Sequence, residues 1–324
     1  MRRSIITVAV LAAASLALPA QAAAPSVDLQ PDTLTRGADV VVPHVEEGQW
    51  GDVFVDGAQR VELPGRIARV IGESEGGWLV GTQNADFKRN RRVVRVGTDG
   101  SVTDVLRNID PSSVVLSADG STLAWQQLVG KGTKVVVHVT RASDGEKLGE
   151  KGPMAYVDLL DVDAKKVVLG NDRRTFAWGF VRDRTRTLAR GMSGDVDLSL
   201  DLMTSWTKDP YQGGCMVVSR LSSPRKALWR SCRDRVAAFS PDGTQLLTFH
   251  KLTDGVGPGE IRLRTLAGRK LATWTTGWFG AWSWESPGVV LLEVTGKRTS
   301  ATVRCELTAC ENATDPVKAR SPRA

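Results

Sequence analysis

The segments AAFSPDGTQLLTFH, residues 237–250, and VVLSADGSTLAWQQ, residues 114–127, are two copies of one pattern. In each, a short apolar run enters a turn, Ser240-Pro241-Asp242-Gly243 or Ser117-Ala118-Asp119-Gly120, and a second apolar run leaves it. Asp bonds its own backbone two residues on, and Gly takes positive φ at no steric cost, so the turn folds one strand back on the next. The frame also fits GESEGGWLVGT, with Glu75-Gly76 at the turn and Leu79 as the apolar anchor. It fits DVDAKKVVLG with Asp163-Ala164 and Val167, WESPGVVLLEV with Ser286-Pro287 and Val290 and, most loosely, DLSLDLMTSWT near Thr204. The anchors fall at 79, 123, 167, 204, 246 and 290, in steps of 44, 44, 37, 42 and 44. A repeat of this length built of strands signals propeller blades.

Each repeat reads as four antiparallel strands, a to d. In the fifth they are VAAF, TQLLTF, EIRLRTL and KLATW. Further Asp-Gly turns, in VGTDGSV and RASDGEK, mark c–d hairpins. Val, Thr, Trp and Leu dominate the periodic segments and suit strands. The fold class is therefore all-β, a β-propeller of six four-stranded blades, with seven as the alternative. That alternative rests on the hairpin VFVDGAQRVEL, residues 53–63, which has a c–d look with Asp56-Gly57 at its turn. It either adds an outer strand to the last blade and closes the ring, or is half of a seventh blade. The domain reading is a signal peptide at 1–22, an N-terminal segment at 23–52, the propeller at 53–312 and a disordered tail at 313–324.

The start of the chain argues for export. Arg2 and Arg3 precede the apolar run IITVAVLAAASLAL, which is short for a membrane helix, and AQA at 20–22 supplies small residues for a signal peptidase. Cleavage is expected after Ala22. No later apolar run is long enough to span a bilayer. The expected product is secreted, extracellular or associated with the cell envelope. The 4 Cys, Cys215, Cys232, Cys305 and Cys310, make an even count in such a chain and read as two disulfides. Cys215 and Cys232 flank the c–d turn of the fourth repeat, and Cys305 and Cys310 that of the sixth, so pairing within each hairpin is expected. A zinc site is the weaker reading, because the 3 His (His44, His138 and His250) lie away from the Cys pairs.

FSPDGTQLLTF and LSADGSTLAW resemble the WD40-like repeats of TolB-type propellers, which also form the propeller domains of prolyl-oligopeptidase-like peptidases. The resemblance covers most of residues 60–312 and is strongest in two repeats. The Gly-His and Trp-Asp marks of true WD40 repeats are absent. The whole chain is also similar to a group of exported actinobacterial propellers without known activity. The resemblance implies a propeller and no particular function, since the same blades serve scaffolds, binders and enzymes.

Antiparallel alternation puts the a–b and c–d turns on one face and the b–c loops and d–a links on the other. The long loops are of the second kind: QNADFKRNR, QLVGKGT, KDPYQGG and KLTDGVGPGE, with WTTGWFGAW crossing the same face. A rigid ring carrying varied loops on one face is a layout for binding. The binding candidates are Lys88, Arg89, Arg91 and Arg92 in the basic run KRNRRVVR, Tyr211 in KDPYQGG, and Trp274 and Trp278 in the last link. Guanidinium and ammonium groups attract phosphate or carboxylate polymers, while flat rings stack on sugars or partner residues. The plainer readings are a solvated loop for the basic run and packing between blades for the Trp residues. Trp78, Trp125, Trp178 and Trp206 fall in strands and read as core, as do Trp282 and Trp284.

Catalytic patterns are thin. GMSGD at 191–195 does not fit G-x-S-x-G, and there is no phosphate-binding loop and no H-E-x-x-H. Asp158, Asp161, Asp195 and Asp197 lie near inner strands, where a channel could gather them for calcium or for acid–base work; turn capping is the plainer reading. His44, beside Glu46 and Glu47, is the better-placed His. The net charge of +7 falls to +5 once Arg2 and Arg3 are removed. That favours anionic surfaces but is too mild for nucleic acid. The sequence thus predicts a monomeric binding or scaffold module for an envelope polymer, peptide or protein, without cofactor or metal. The alternative is a propeller-type lyase or glycoside hydrolase using carboxylates at the channel mouth.

Overall fold

The computed structural model describes residues 24–319, so the signal peptide placed at 1–22 lies outside the described residues. Among those residues the chain forms seven sheets, and the only helical turns are Pro111–Ser113 and Pro210–Gln212. The all-β propeller is as expected, but it has seven blades, which overturns the count of six. Blade I consists of His44–Glu47, Asp52–Asp56 and Gln59–Glu62. Blades II to VII span residues 67–107, 115–155, 158–190, 193–231, 234–275 and 278–312, each with four consecutive strands in antiparallel order.

The repeated turn is built as its residues dictate. Ser240 Oγ donates to Asp242 Oδ1 at 2.5 Å and accepts from Gln245 N–H at 2.9 Å. Ser117 does the same with Asp119 and Thr122, at 2.5 and 2.9 Å. Gly243 and Gly120 hold φ of 68° and 69°, the left-handed region that disfavours a side chain. The turns set the register of the strands they join, and that register buries the anchors. Leu79, Leu123, Val167, Thr204, Leu246 and Val290 are all fully buried. Blades pack face to face over such residues, as Leu79 and Val93 of blade II do against Ile109, Val114 and Leu123 at blade III.

Blade I departs from the plan. Gln59 Nε2 donates to Gly97 O at 3.0 Å, on the c–d turn of blade II. In the same way Lys151, on the outer strand of blade III, reaches Asp183 on the c–d turn of blade IV at 2.7 Å. Gln59–Glu62 therefore stands in the place of strand d, Asp52–Asp56 of strand c and His44–Glu47 of strand b. Strand a of blade I is absent among the described residues. The hairpin at 53–63 is thus the outer half of a blade of its own and adds no strand to blade VII.

The segment before blade I acts as a strap. Ser26–Asp28 pairs parallel with Lys270–Thr275 at the outer edge of blade VI. Leu29 is buried with Trp274 and Phe279 between blades VI and VII. Asn312 of blade VII donates through Nδ2 to Pro31 O at 2.8 Å, and Arg304 donates to Ala38 O and Asp39 O at 2.8 and 2.9 Å. The described part of the N-terminal segment read at 23–52, residues 24–52, thus supplies this strap and the first strand of the ring. At the other end Val317–Lys318 pairs with Thr299 and Ser300, so the described part of the tail is held against blade VII.

Both Cys pairs are bonded, Cys215 to Cys232 and Cys305 to Cys310, and no described cysteine is free. The first closes the open end of the c–d hairpin of blade V. The second joins residues directly opposite in the c–d hairpin of blade VII. Disulfides of this kind accord with a non-cytoplasmic location. No helix is long and apolar enough to cross a membrane among the described residues.

Candidate functional site

A cleft of about 460 Å³ opens where the links II–III and III–IV meet the loop ends of blade III. The volume suits a small-ligand site or one segment of a polymer. The chain builds it from ordinary parts. Asp110 caps the turn Pro111–Ser113, accepting from Ser112 N–H at 2.9 Å and from Ser112 Oγ at 2.6 Å. Ser113 Oγ bonds Asp110 O at 2.8 Å and reaches Gln126 O at 3.2 Å, tying the link to strand b of blade III. Gln126 Nε2 donates to Val157 O at 2.6 Å, which fixes the next link. That link carries Tyr156, which is 54% exposed. Burial, followed by the charge of and hydrogen bond to Asp158, pushes the Tyr156 hydroxyl above its usual range.

Trp125 lies between this wall and strand c. Its ring stacks on His138 with centroids 3.9 Å apart and planes 16° apart. Its indole N–H is buried without an acceptor among the described residues. His138 sits between Glu150, 3.3 Å from Nδ1, and Gln127, 3.3 Å from Nε2. Burial pushes the His138 imidazole below its ordinary value, more than Glu150 raises it, which keeps it neutral near pH 7. The aromatic pair is therefore uncharged, and the cation at the cleft is Arg91.

The predicted residues are only partly brought together. Arg91 lines the cleft. Lys88 and Arg89 stand exposed on the adjoining loop, where Asp86 accepts from both backbone N–H groups and from Arg89 Nε at 2.6 Å. These bonds, the Lys88 N–H first, hold the Asp86 carboxyl down at about 2. Arg92 is half-buried and pairs with Asp104 at 3.2 Å. Tyr211 is 68% exposed in the loop of blade V and does not line the cleft. Trp278 begins the inner strand of blade VII and is half-buried. Trp274 has no exposed surface and donates to Leu307 O at 2.8 Å. It is a packing residue with no ring face to offer, which corrects its place among the binding candidates. Trp125 and Tyr156 are the additions. Trp125 sits at strand period and reads as core, and Tyr156 carries one faint signal, as one of only 2 Tyr in the chain.

The inner-strand carboxylates do not converge. Asp161 accepts from Val162 N–H at 2.7 Å and Leu198 N–H at 2.6 Å, linking blade IV to blade V. Burial, the largest effect, raises its pKa to about 6. Desolvation raises Asp195 as well, although the residue keeps exposed surface, with its own backbone N–H and Arg235 opposing. Asp197 caps the turn at Ser199 and Leu200. Asp158 belongs to Tyr156 and the cleft. No group of three or more His, Cys, Asp or Glu side chains is placed to hold a metal among the described residues. His44 bonds Val42 O at 2.9 Å and Glu46 at 3.2 Å, and His250 accepts from Leu252 N–H at 3.3 Å.

No protein-family pattern and no curated protein matches the chain, so the resemblance to TolB-type repeats stands without a family match. Solved structures do match. A KlHsv2 whose loop 6CD is replaced by a Gly-Ser linker aligns over 74% of this chain and 78% of its own, at 11% identity and TM-score 0.50. A structure from a study of two prolyl endopeptidases aligns over 78% of this chain at 15% identity and TM-score 0.53, and the match spans 42% of that protein. At such identities the likeness shows the propeller fold alone.

Proposed function

We propose that the protein is an exported, monomeric binding module that holds a segment of an envelope polymer in the cleft between blades II, III and IV. The observation that carries this reading is the gathering of Arg91, Trp125 and Tyr156 with the amides of Gln126 and Gln127 at one cleft of the loop-rich face. Ring faces flanked by hydroxyl, amide and guanidinium groups suit a saccharide chain bearing acidic groups. Lys88 and Arg89 add long-range attraction for an anionic polymer beside the cleft. Tyr211 and Trp278 would be met only by a polymer that runs on across the face. The site binds and does no chemistry, its carboxylates being engaged in turn caps and in the Tyr156 bond.

Co-sedimentation of the mature protein with envelope fragments, at low and high salt, tests this. Tyr156→Ala and Trp125→Ala should each weaken binding about tenfold or more at both salts. Lys88→Ala with Arg89→Ala should weaken it at low salt only, because exposed charges are screened. Tyr156 is the cleaner probe, since Trp125 also supports His138. Unchanged binding by both aromatic variants would remove the cleft as the site.

A further inference from the structure

The missing inner strand of blade I leaves a slot, which owes nothing to the cleft or its ligand. In an antiparallel pair successive residues alternate in the direction of their peptide groups. Gly48 N–H bonds Gly51 O at 3.0 Å at the end of the b–c hairpin, and Glu46 pairs with Val53 two residues on. Glu46 and His44 therefore turn their peptide groups toward strand c, and Val45 turns its N–H and C=O toward the centre of the ring. In blades II to VII that edge is occupied by strand a. Here two adjoining cavities of about 430 and 680 Å³ share Pro43, His44, Val45, Glu46 and Glu293.

The walls of the slot differ. On the side of blade VII stands Glu293, its side chain open to both cavities, with no cation at ion-pair distance among the described residues. Although the residue keeps exposed surface, partial desolvation between the walls pushes its carboxyl up, opposed by a hydrogen bond from Ala281 N–H. Asp52 adds acidic charge at the edge of the slot, while Glu46 is paired with Arg60 at 2.7 Å. On the side of blade II stand Ala68 and Val70, with Trp78 at one end facing Trp284 of blade VII; Arg69, between Ala68 and Val70, spends its guanidinium on Pro111 O and Val114 O at 2.6 and 2.8 Å. A strand placed here would send successive side chains to opposite walls. Its alternate residues would meet an acid on one side and apolar surface on the other.

The geometry points to strand addition: an extended segment of a partner protein, alternately basic and apolar and about as long as its neighbour of 4 residues, pairs with the inner edge of His44–Glu47 and completes blade I. Backbone bonds to Val45 hold it, and a Lys or Arg at a central position neutralises Glu293. This is the strand-addition mode of peptide recognition, in which main-chain bonds give affinity and alternate pockets give specificity. The chain's own described ends lie elsewhere, at the outer edge of blade VI and on strand c of blade VII.

The test uses the mature full-length protein and the labelled peptide acetyl-Val-Lys-Val-Lys-Val-amide, followed by fluorescence anisotropy and by backbone hydrogen exchange. Saturable binding is expected, with slowed exchange at the Val45 amide. The Val-Glu-Val-Glu-Val peptide and a copy N-methylated at alternate residues should not bind. Glu293→Gln should weaken the Lys peptide about tenfold. No saturable binding, or equal binding of the N-methylated copy, overturns the proposal. So does a Val45 amide already protected without peptide, since that places the chain's own terminal residues in the slot. The peptide comparisons use the unaltered protein, so they stand even where a variant fails to fold.

Discussion

Asp161 shows how a single side chain serves the ring and loads it at once. Its two oxygens take the N–H groups of Val162 and Leu198, joining neighbouring blades. Burial nevertheless favours the protonated form, so that its pKa is about 6 in the fold against an ordinary value of 3.8. Between those values the folded state binds more protons than the unfolded chain, so stability falls as pH rises from about 4 to about 6. The change amounts to about 2–3 kcal/mol. Asp161→Asn lacks this titration. Urea unfolding at pH 4 and pH 7 should show the variant gaining about that much relative to the native protein as pH rises, whatever the substitution costs in hydrogen bonding. A constant offset between the two proteins would show that Asp161 is ionised throughout. The same contrast of chemistry and surroundings explains what the sequence conveyed of the site. Arg91 was legible because a basic loop residue has few uses besides solvent and ligand. Trp125 was not, because a strand-period aromatic looks identical whether its far edge meets a neighbour blade or a cleft. Trp274 misled for the converse reason: it follows the same link composition as Trp278, yet the strap covers it with Leu29.

At the scale of the blade, the repeat frame recorded a–b hairpins, and it counted six because blade I has no strand a and hence no a–b turn. Its c–d hairpin was visible at Asp56-Gly57, and that was the only part of the blade with a local signature. The other six blades were legible because each repeats both the turn and the buried anchor that the turn places. Blade VI adds something the alternating pattern does not encode, a buried ion cluster. Asp234 takes Arg262 at 2.9 Å and Arg264 at 2.7 Å, with Asp234 and Arg262 under one-tenth exposed. Arg264 also lies over the Trp229 ring of blade V, at 5.5 Å. Removing the shared carboxylate leaves Arg262 with Glu260 alone and Arg264 with no ion partner among the described residues, and little water reaches either. Asp234→Ala should therefore cost about 3–5 kcal/mol in denaturant unfolding. A loss below about 1 kcal/mol would mean that solvent reaches the cluster.

A ring of blades must close, or its first and last sheets expose their faces and edges. Among the described residues blades VII and I share no sheet, and a strap does the joining. It begins as a parallel strand on blade VI, buries Leu29 between blades VI and VII, takes bonds from Asn312 and Arg304, and turns inward to become strand b of blade I. Stability in a blade array is carried by each unit and its nearest neighbours, so a weakened junction opens locally before the rest. Leu29→Ala should cost about 2–5 kcal/mol, the range for a fully buried leucine. Its effect should concentrate at the seam, with amide exchange accelerated along His44–Glu47 and Thr299–Glu306. Leu79→Ala, an equal truncation between blades II and III, supplies the comparison: a similar loss of stability without preferential exchange at the seam. Should the two variants exchange alike, blades VII and I would be held by their direct packing, and the strap would be one more buried strand. Should Leu29→Ala open the seam first, the strap is what holds the ring closed, and any strand entering the slot of blade I would strengthen the closure from the inside.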